Sequence, residues 1–259
     1  MIFEKQSVYV GLHTLQFTQI MGSLKKDVCM VDVEMIHRPA QLLLDYPIPV
    51  HYDPDDFLVD DPNAQSFSLM EQWPSWPDSF VLLMGPPGSG KTHLATLWAR
   101  LSGATSVSAS VVTSEELPRL LEEPALIVDP CDVGLKDERA FFHLLNGLRA
   151  QKKYGLFLAR SSPTEWGLAV PDLLSRLRLM IQTVIYPPND TLLSAVLLKL
   201  FCDRQIVVEE HIIKAIIART ERSFLGIQRF VAALDARSLR EGRRITRSMV
   251  LSYFETEAL

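Results

Sequence analysis

Eight consecutive residues pose the first chemical question. Gly85, Pro86, Pro87, Gly88, Ser89, Gly90, Lys91 and Thr92 satisfy the spacing G-x-x-x-x-G-K-[ST] at every fixed position. Glycines let a backbone curl until successive N–H groups converge on phosphate oxygens. A helix starting there adds the partial positive charge of its N-terminus. Lys91 would supply a point charge for the β- and γ-phosphates, and the Thr92 hydroxyl is placed to hold Mg²⁺. A glycine-rich turn also arises by chance, and context separates the two. Here the apolar run 80–84 precedes the loop and residues 93–100 read as a helix, which is the strand, loop, helix order this chemistry requires.

A phosphate site of this kind needs a carboxylate. The apolar residues 125–128 end in Asp129, which reads as a buried strand with an acid at its tip. Such an acid either holds the water shell of Mg²⁺ against Thr92 or caps the next loop. The following position is Pro130, which cannot act as a base, and Asp132 lies close by. Loss of a positioned base costs roughly 10²–10⁴ in rate, so the expectation is a chain that binds nucleotide well and hydrolyses it poorly alone. The base is expected near Phe57 and Val59. Ser161 and Ser162 follow a strand expected to neighbour the phosphate-loop strand, where a hydroxyl either senses the γ-phosphate or caps the Pro163 turn. Arg176 lies on a short helix at the domain edge, in a surface ion pair or reaching a nucleotide on a neighbouring subunit. Arg222 and Arg229 either contact phosphates or belong to solvated helix faces. His93 and His143 stand apart from other metal-ligating residues and read as structural.

These residues need a scaffold. The chain has 259 residues, 47% hydrophobic and 22% charged, with a net charge of −5. That is ordinary globular composition, with no global basic field for nucleic acid. Cys29, Cys131 and Cys202 are scattered and frame neither a metal site nor disulfides. No apolar run reaches the ~20 residues of a membrane span, and no secretory signal opens the chain. Helical or strand patterns run in order: helix 64–72, strand 80–84, helix from 93, strand 104–112, a short helix capped by Thr113 or Ser114, strand 125–129, helix 137–151, strand 155–159, helix 171–178 and strand 182–186. This alternation predicts an α/β parallel-sheet sandwich. After Pro187 and Pro188 every segment reads as helix: 191–204, 209–220, 223–241 and 247–257. The expected organisation is an extension (1–37), disordered or mis-started given Met30 and Met35; a segment 38–52; a nucleotide-binding domain 53–186; and a small helical lid domain 187–259. Within 38–52, Pro39, Pro47 and Pro49 impose an extended course on Gln41, Leu42, Leu44 and Tyr46. These residues suit a partner's groove or a strap over the following domain.

The phosphate loop, Val128-Asp129, Ser161, Ser175-Arg176 and the helical end together resemble the P-loop NTPases of the AAA+ class. More narrowly they resemble the branch of the bacterial replication initiator DnaA, including Ala140, Phe141, Phe142, His143, Leu144, Leu145 and Asn146 after the acid-tipped strand. Most narrowly they are similar to the Hda family, the regulatory inactivators of DnaA. Gln41-Leu42-Leu43-Leu44-Asp45-Tyr46 is similar to the sliding-clamp-binding pattern Q-L-x-L-x-[LF], departing at Tyr46, and the helix of Pro171 to Leu177 is similar to the family's arginine-finger helix. The resemblance covers residues 38–259. It implies ADP or ATP with Mg²⁺ on Thr92 and Asp129, Ser161 at the γ-phosphate, and Arg176 acting in trans. It implies DnaA and the DNA polymerase III β sliding clamp as partners, DNA only indirectly, a cytoplasmic location and no membrane; homo-oligomers stay open. Leu225 falls near the family's lid sensor arginine, with Arg222 one turn earlier. Two other readings stand beside this one. One is an initiator or helicase loader acting on DNA directly; an intact initiator is expected to carry a helix-turn-helix domain after the lid, and this sequence ends at Leu259, while its basic stretch Arg237, Arg240, Arg243, Arg244 and Arg247 lies on and between lid helices. An ATP-driven remodelling enzyme is opposed by Pro130.

Overall fold

A computed structural model describes residues 57–133, 135–204 and 208–256. The segment with Gln41, Leu42, Leu44 and Tyr46, and residues 1–37 before it, lie outside these. Three strands, β1 (Phe80–Met84), β3 (Ala125–Val128) and β4 (Tyr154–Ala159), are apolar at nearly every position, so both faces of their sheet must be covered. With β2 (Thr105–Val107) and β5 (Ile181–Val184) they form a five-stranded parallel sheet in the order β2-β3-β4-β1-β5. Phe80, Leu82, Leu126, Val128 and Phe157 meet α3 (Leu117–Glu122), α4 (Glu138–Ala150) and α5 (Pro171–Leu179) on one face. Val81, Leu83, Ile127, Leu156 and Leu158 meet α1 (Asp61–Glu71) and α2 (Lys91–Ser102) on the other. This is the α/β sandwich the alternation predicts.

Some boundaries differ from the sequence reading. The strand expected over 104–112 ends at Val107, because Ser108 accepts the Ser110 N–H and starts a 3₁₀ turn at Ala109–Val111; a local side-chain bond there replaces the ladder. Neither Thr113 nor Ser114 caps α3. Glu116 occupies the cap without a side-chain bond, and the Thr113 carbonyl accepts the Glu116 and Leu117 N–H groups at 3.1 Å each. Helix α1 starts at Asp61, three residues before the expected start, because Asp60 and Asn63 form a reciprocal capping box around Pro62.

Helices α6 (Asp190–Asp203), α7 (Glu210–Ile217), α8 (Phe224–Glu241) and α9 (Arg247–Thr256) pack around Leu197, Phe201, Ile216, Ile227, Val231 and Leu234, a core of their own. Two caps join this bundle to the sheet domain. The Asn189 side chain accepts the Leu192 N–H to cap α6, and its amide donates to Asp60, the cap of α1, at 2.9 Å.

Helix α5 carries no capping side chain of its own. Glu138 of α4 supplies one, its two oxygens accepting the Ala169 and Val170 N–H groups at 3.0 and 2.8 Å. Glu138→Ala should therefore cost about 1 kcal/mol, the usual worth of a cap, and lower the melting temperature by roughly 2–4 °C for a chain of this size. A melt indistinguishable from the parent protein would show that α5 holds its place without this bond.

Candidate functional site: a phosphate-binding loop at the carboxyl edge of the sheet

The site lies where the carboxyl ends of β1, β3 and β4 meet the start of α2. Met84 pairs with Ala159, so the β4 tip adjoins the loop as expected. Gly85 donates to the Ala159 carbonyl at 3.2 Å, and a Cβ on Gly85 would stand 2.4 Å from the Ile185 carbonyl oxygen, which excludes any side chain. Gly90 caps α2 with φ of 100°, a left-handed conformation that glycine adopts without strain. The Lys91 ammonium donates to the Gly85 and Pro86 carbonyls at 2.6 and 2.8 Å. The Thr92 hydroxyl donates to Asp129 at 3.1 Å. One helix thus presents an ammonium and a hydroxyl side by side, and the hydroxyl reaches the predicted carboxylate across the sheet edge.

The electrostatics of this group are set by burial. Desolvation pushes the Lys91 ammonium below its ordinary value, outweighing the opposing pull of Asp129 and Asp132. Desolvation also pushes the Asp129 carboxyl up, outweighing its bond from Thr92 and the attraction of Lys91. A lowered lysine gives stability that is present at high pH and lost as pH falls through its folded value; a raised carboxyl gives stability that is present at low pH and lost as pH rises through its folded value. Between these limits both groups are charged at a cost to the fold.

The residues present fit a nucleotide with Mg²⁺. The Ser89 hydroxyl is buried without a hydrogen-bond partner, beside Gly85, where a Cβ would stand 2.9 Å from it. Among the described residues no three His, Cys, Asp or Glu side chains gather as a metal cage, so Thr92 and Asp129 would hold the ion together with phosphate and water, as Mg²⁺ is usually held.

The other predicted residues distribute around this centre. Phe57 is buried, stacked on Phe67 and edge-on to His93, and lies beside Gly90; Val59 packs against the same core. Ser161 sits at the β4 tip, its carbonyl accepting the Trp166 indole N–H, while the Ser162 hydroxyl accepts from Thr164 within the Pro163 turn. Arg222 forms an ion pair with Asp190 at 3.2 Å and is 68% exposed. Arg176 lies on α5 with its guanidinium 5.1 Å from the Phe142 ring centroid; Arg178 is exposed on the solvent side of the same helix.

Three participants escaped the sequence reading. Arg160 is close enough to Lys91 and Asp129 to act on both electrostatically; its place directly after β4 was the available signal. The Phe224 N–H donates to the Gly88 carbonyl at 3.0 Å, and a Cβ on Gly88 would meet Ser223 at 3.0 Å. The start of α8 therefore rests on the phosphate loop, a long-range contact that no local pattern announces.

No family model matches this sequence, and no curated protein does. Solved structures do. Domain III of the replication initiation protein DnaA from Thermotoga maritima matches with a TM-score of 0.67 at 14% identity, over 80% of this chain and 96% of that one. Replication initiator DnaA bound to AMPPCP and single-stranded DNA matches with 0.61 at 16% identity, over 71% of this chain; this chain spans 64% of that protein. The RuvB Holliday junction branch migration motor of Thermotoga maritima matches with 0.65 at 18% identity, over 80% and 72%. At these identities the likeness is one of fold, a fold this chain shares with DnaA domain III and RuvB.

Saturating Mg²⁺-nucleotide, at about 100 times its dissociation constant, should stabilise the protein by about 2.7 kcal/mol, raising the melting temperature by roughly 5–10 °C. Lys91→Ala should remove this rise. Asp129→Asn should remove only the part that depends on Mg²⁺. Thermal melts with and without nucleotide and Mg²⁺ check all three, and an unchanged rise in Lys91→Ala would rule out the loop as the site.

Proposed function

We propose that this chain is a nucleotide-binding regulator of the Hda type, which docks on the DNA polymerase III β sliding clamp and stimulates hydrolysis of ATP held by DnaA. The initiator is left in its ADP form and replication does not restart. The observation that carries this reading is Arg176. Its guanidinium stacks on Phe142 at the domain edge and makes no ion pair among the described residues, which favours the outward-reaching alternative over the surface pair.

The chain's own nucleotide, with Mg²⁺, would supply the phosphates that Lys91, the loop N–H groups and Thr92 are arranged to bind. That role is one of binding, since the position after Asp129 is Pro130 and offers no base. Arg176 acts on the partner's nucleotide. Charge develops on the γ-phosphate oxygens during transfer, and a planar guanidinium bonds two of them at once, which an ammonium cannot copy. The Phe142 ring restricts the long side chain before docking, so less rotamer freedom is lost on contact. Glu138 fixes the start of the helix that presents it. Ser161 reads the γ-phosphate at the β4 tip, and Arg222 turns from Asp190 toward the phosphates. The DnaA-type fold of the neighbours supports a surface able to pair with another AAA+ subunit. Residues 38–52 supply the clamp contact: Leu42 lies along the groove, Leu44 and Tyr46 fill an apolar pocket, and Gln41 bonds at its rim.

The test is DnaA-bound ATP hydrolysis in the presence of clamp, DNA and each variant. Arg176→Ala should reduce stimulation by roughly 10³-fold or more, and Arg176→Lys should not restore it. Phe142→Ala should cost about tenfold, and Arg178→Ala little. Gln41→Ala with Leu44→Ala should weaken clamp binding by about 2 kcal/mol or more without altering nucleotide binding. Full stimulation by Arg176→Ala removes the trans-acting role. Hydrolysis by this chain alone at the stimulated rate favours a loader or remodelling enzyme instead.

A further inference from the structure

The largest concentration of positive charge in this acidic chain lies far from the phosphate loop in sequence. Five arginines and one glutamate fall within residues 237–247. Gly242 ends α8 in the left-handed region, φ 61°, and this turn brings the end of α8 against the start of α9. Between them lies a cavity of about 480 Å³ lined by Arg237, Glu241, Arg243, Arg244, Thr246 and Ser248, among others. Glu241 is held between two guanidiniums, bonded by Arg237 at 2.8 Å and Arg243 at 2.9 Å. Arg244 is exposed and has no carboxylate partner among the described residues. One carboxylate therefore aligns two arginines and leaves the groove with a surplus of positive charge.

We propose that this groove binds the phosphodiester backbone of a nucleic acid strand. The donors present are the ones that bond phosphate oxygens: guanidinium forks, the hydroxyls of Thr246 and Ser248, and the N–H groups opening α9. The cations are all arginine, suited to bidentate phosphate contact rather than to a diffuse field. A membrane surface fits less well, since Ile227, Phe230, Val231 and Leu234 of α8 are buried and Leu239 is, among the described residues, the one large apolar side chain exposed beside the arginines, too little for an inserting face. Glu241 is a positioning residue. It presets Arg237 and Arg243, and it also competes with phosphate for them, so its charge limits affinity. Contacts to the backbone carry no sequence information and give salt-dependent binding. The groove uses no residue of the phosphate loop, so it stands or falls apart from the nucleotide reading.

The experiment is fluorescence anisotropy of the full chain with labelled single-stranded and duplex oligonucleotides of mixed sequence, across a salt series. Binding is expected at low salt in about the 10⁻⁶–10⁻⁴ M range, with log K falling against log salt at a slope of about −3 on duplex. Arg243→Ala with Arg244→Ala should reduce that slope by about 2 and the affinity about tenfold or more. Glu241→Gln should raise affinity several-fold, which a purely structural role would not do. Arg119→Ala should bind as the parent protein does. The arm that binds more tightly identifies the strand form. No salt-dependent binding in either arm, a double variant with the parent slope, or equal binding to anionic vesicles or polyglutamate overturns the proposal.

Discussion

Two opposite charges half withdrawn from water at the carboxyl edge of the sheet are the feature to which the rest of the structure answers. Lys91 and Asp129 attract one another, yet for each of them desolvation outweighs that attraction. Burial of a charge pair often costs more than its mutual attraction returns. The ammonium is satisfied by loop carbonyls and the carboxylate by the Thr92 hydroxyl. The tightness of the cradle has the same origin, since the loop approaches the chain after β5 so closely that Gly85 admits no Cβ.

Helix α4 ties this centre to the domain edge. Its apolar face, Phe141, Leu144 and Leu148, fills the core beside β3 and β4, the strands that lead to Asp129 and Arg160. Its first turn caps α5 through Glu138, and its Phe142 ring lies under Arg176. The strands bearing the carboxylate and the helix bearing the guanidinium are therefore braced by one element. A shift of α4 would disturb both, and packed cores transmit such shifts rather than absorbing them.

Much of this was legible in the sequence because the relevant patterns are local. The phosphate loop carries fixed residues at fixed spacing, the acid-tipped strand is four apolar residues and an aspartate, and the C-terminal helices repeat apolar residues at helical intervals. What was not legible depends on competition or on distance. The strand expected over 104–112 gave way to a 3₁₀ turn because a serine could bond its own backbone. The Asn63 capping box was hidden because asparagine replaces the usual glutamate. The resting of α8 on Gly88 joins residues more than a hundred positions apart. Arg160 looked like a loop residue because nothing in its neighbours says that the strand before it ends beside Lys91.

Two positions bear on whether this site presents a base. Pro130 removes the carboxylate expected after Asp129, and Asp132 is the acid that could have replaced it. One Asp132 oxygen accepts the Arg160 N–H at 3.1 Å and is committed to the sheet edge, while the other is buried without a partner. A general base must come within hydrogen-bond reach of the water it activates, and the Asp132 oxygen left free of the Arg160 bond is the buried one. The arginine on α5 stands in the opposite condition, half-buried by an aromatic ring yet free of any carboxylate among the described residues. A phosphate-loop geometry with Pro130 in place of a base is thus joined by one helix to a guanidinium that has no carboxylate partner among the described residues.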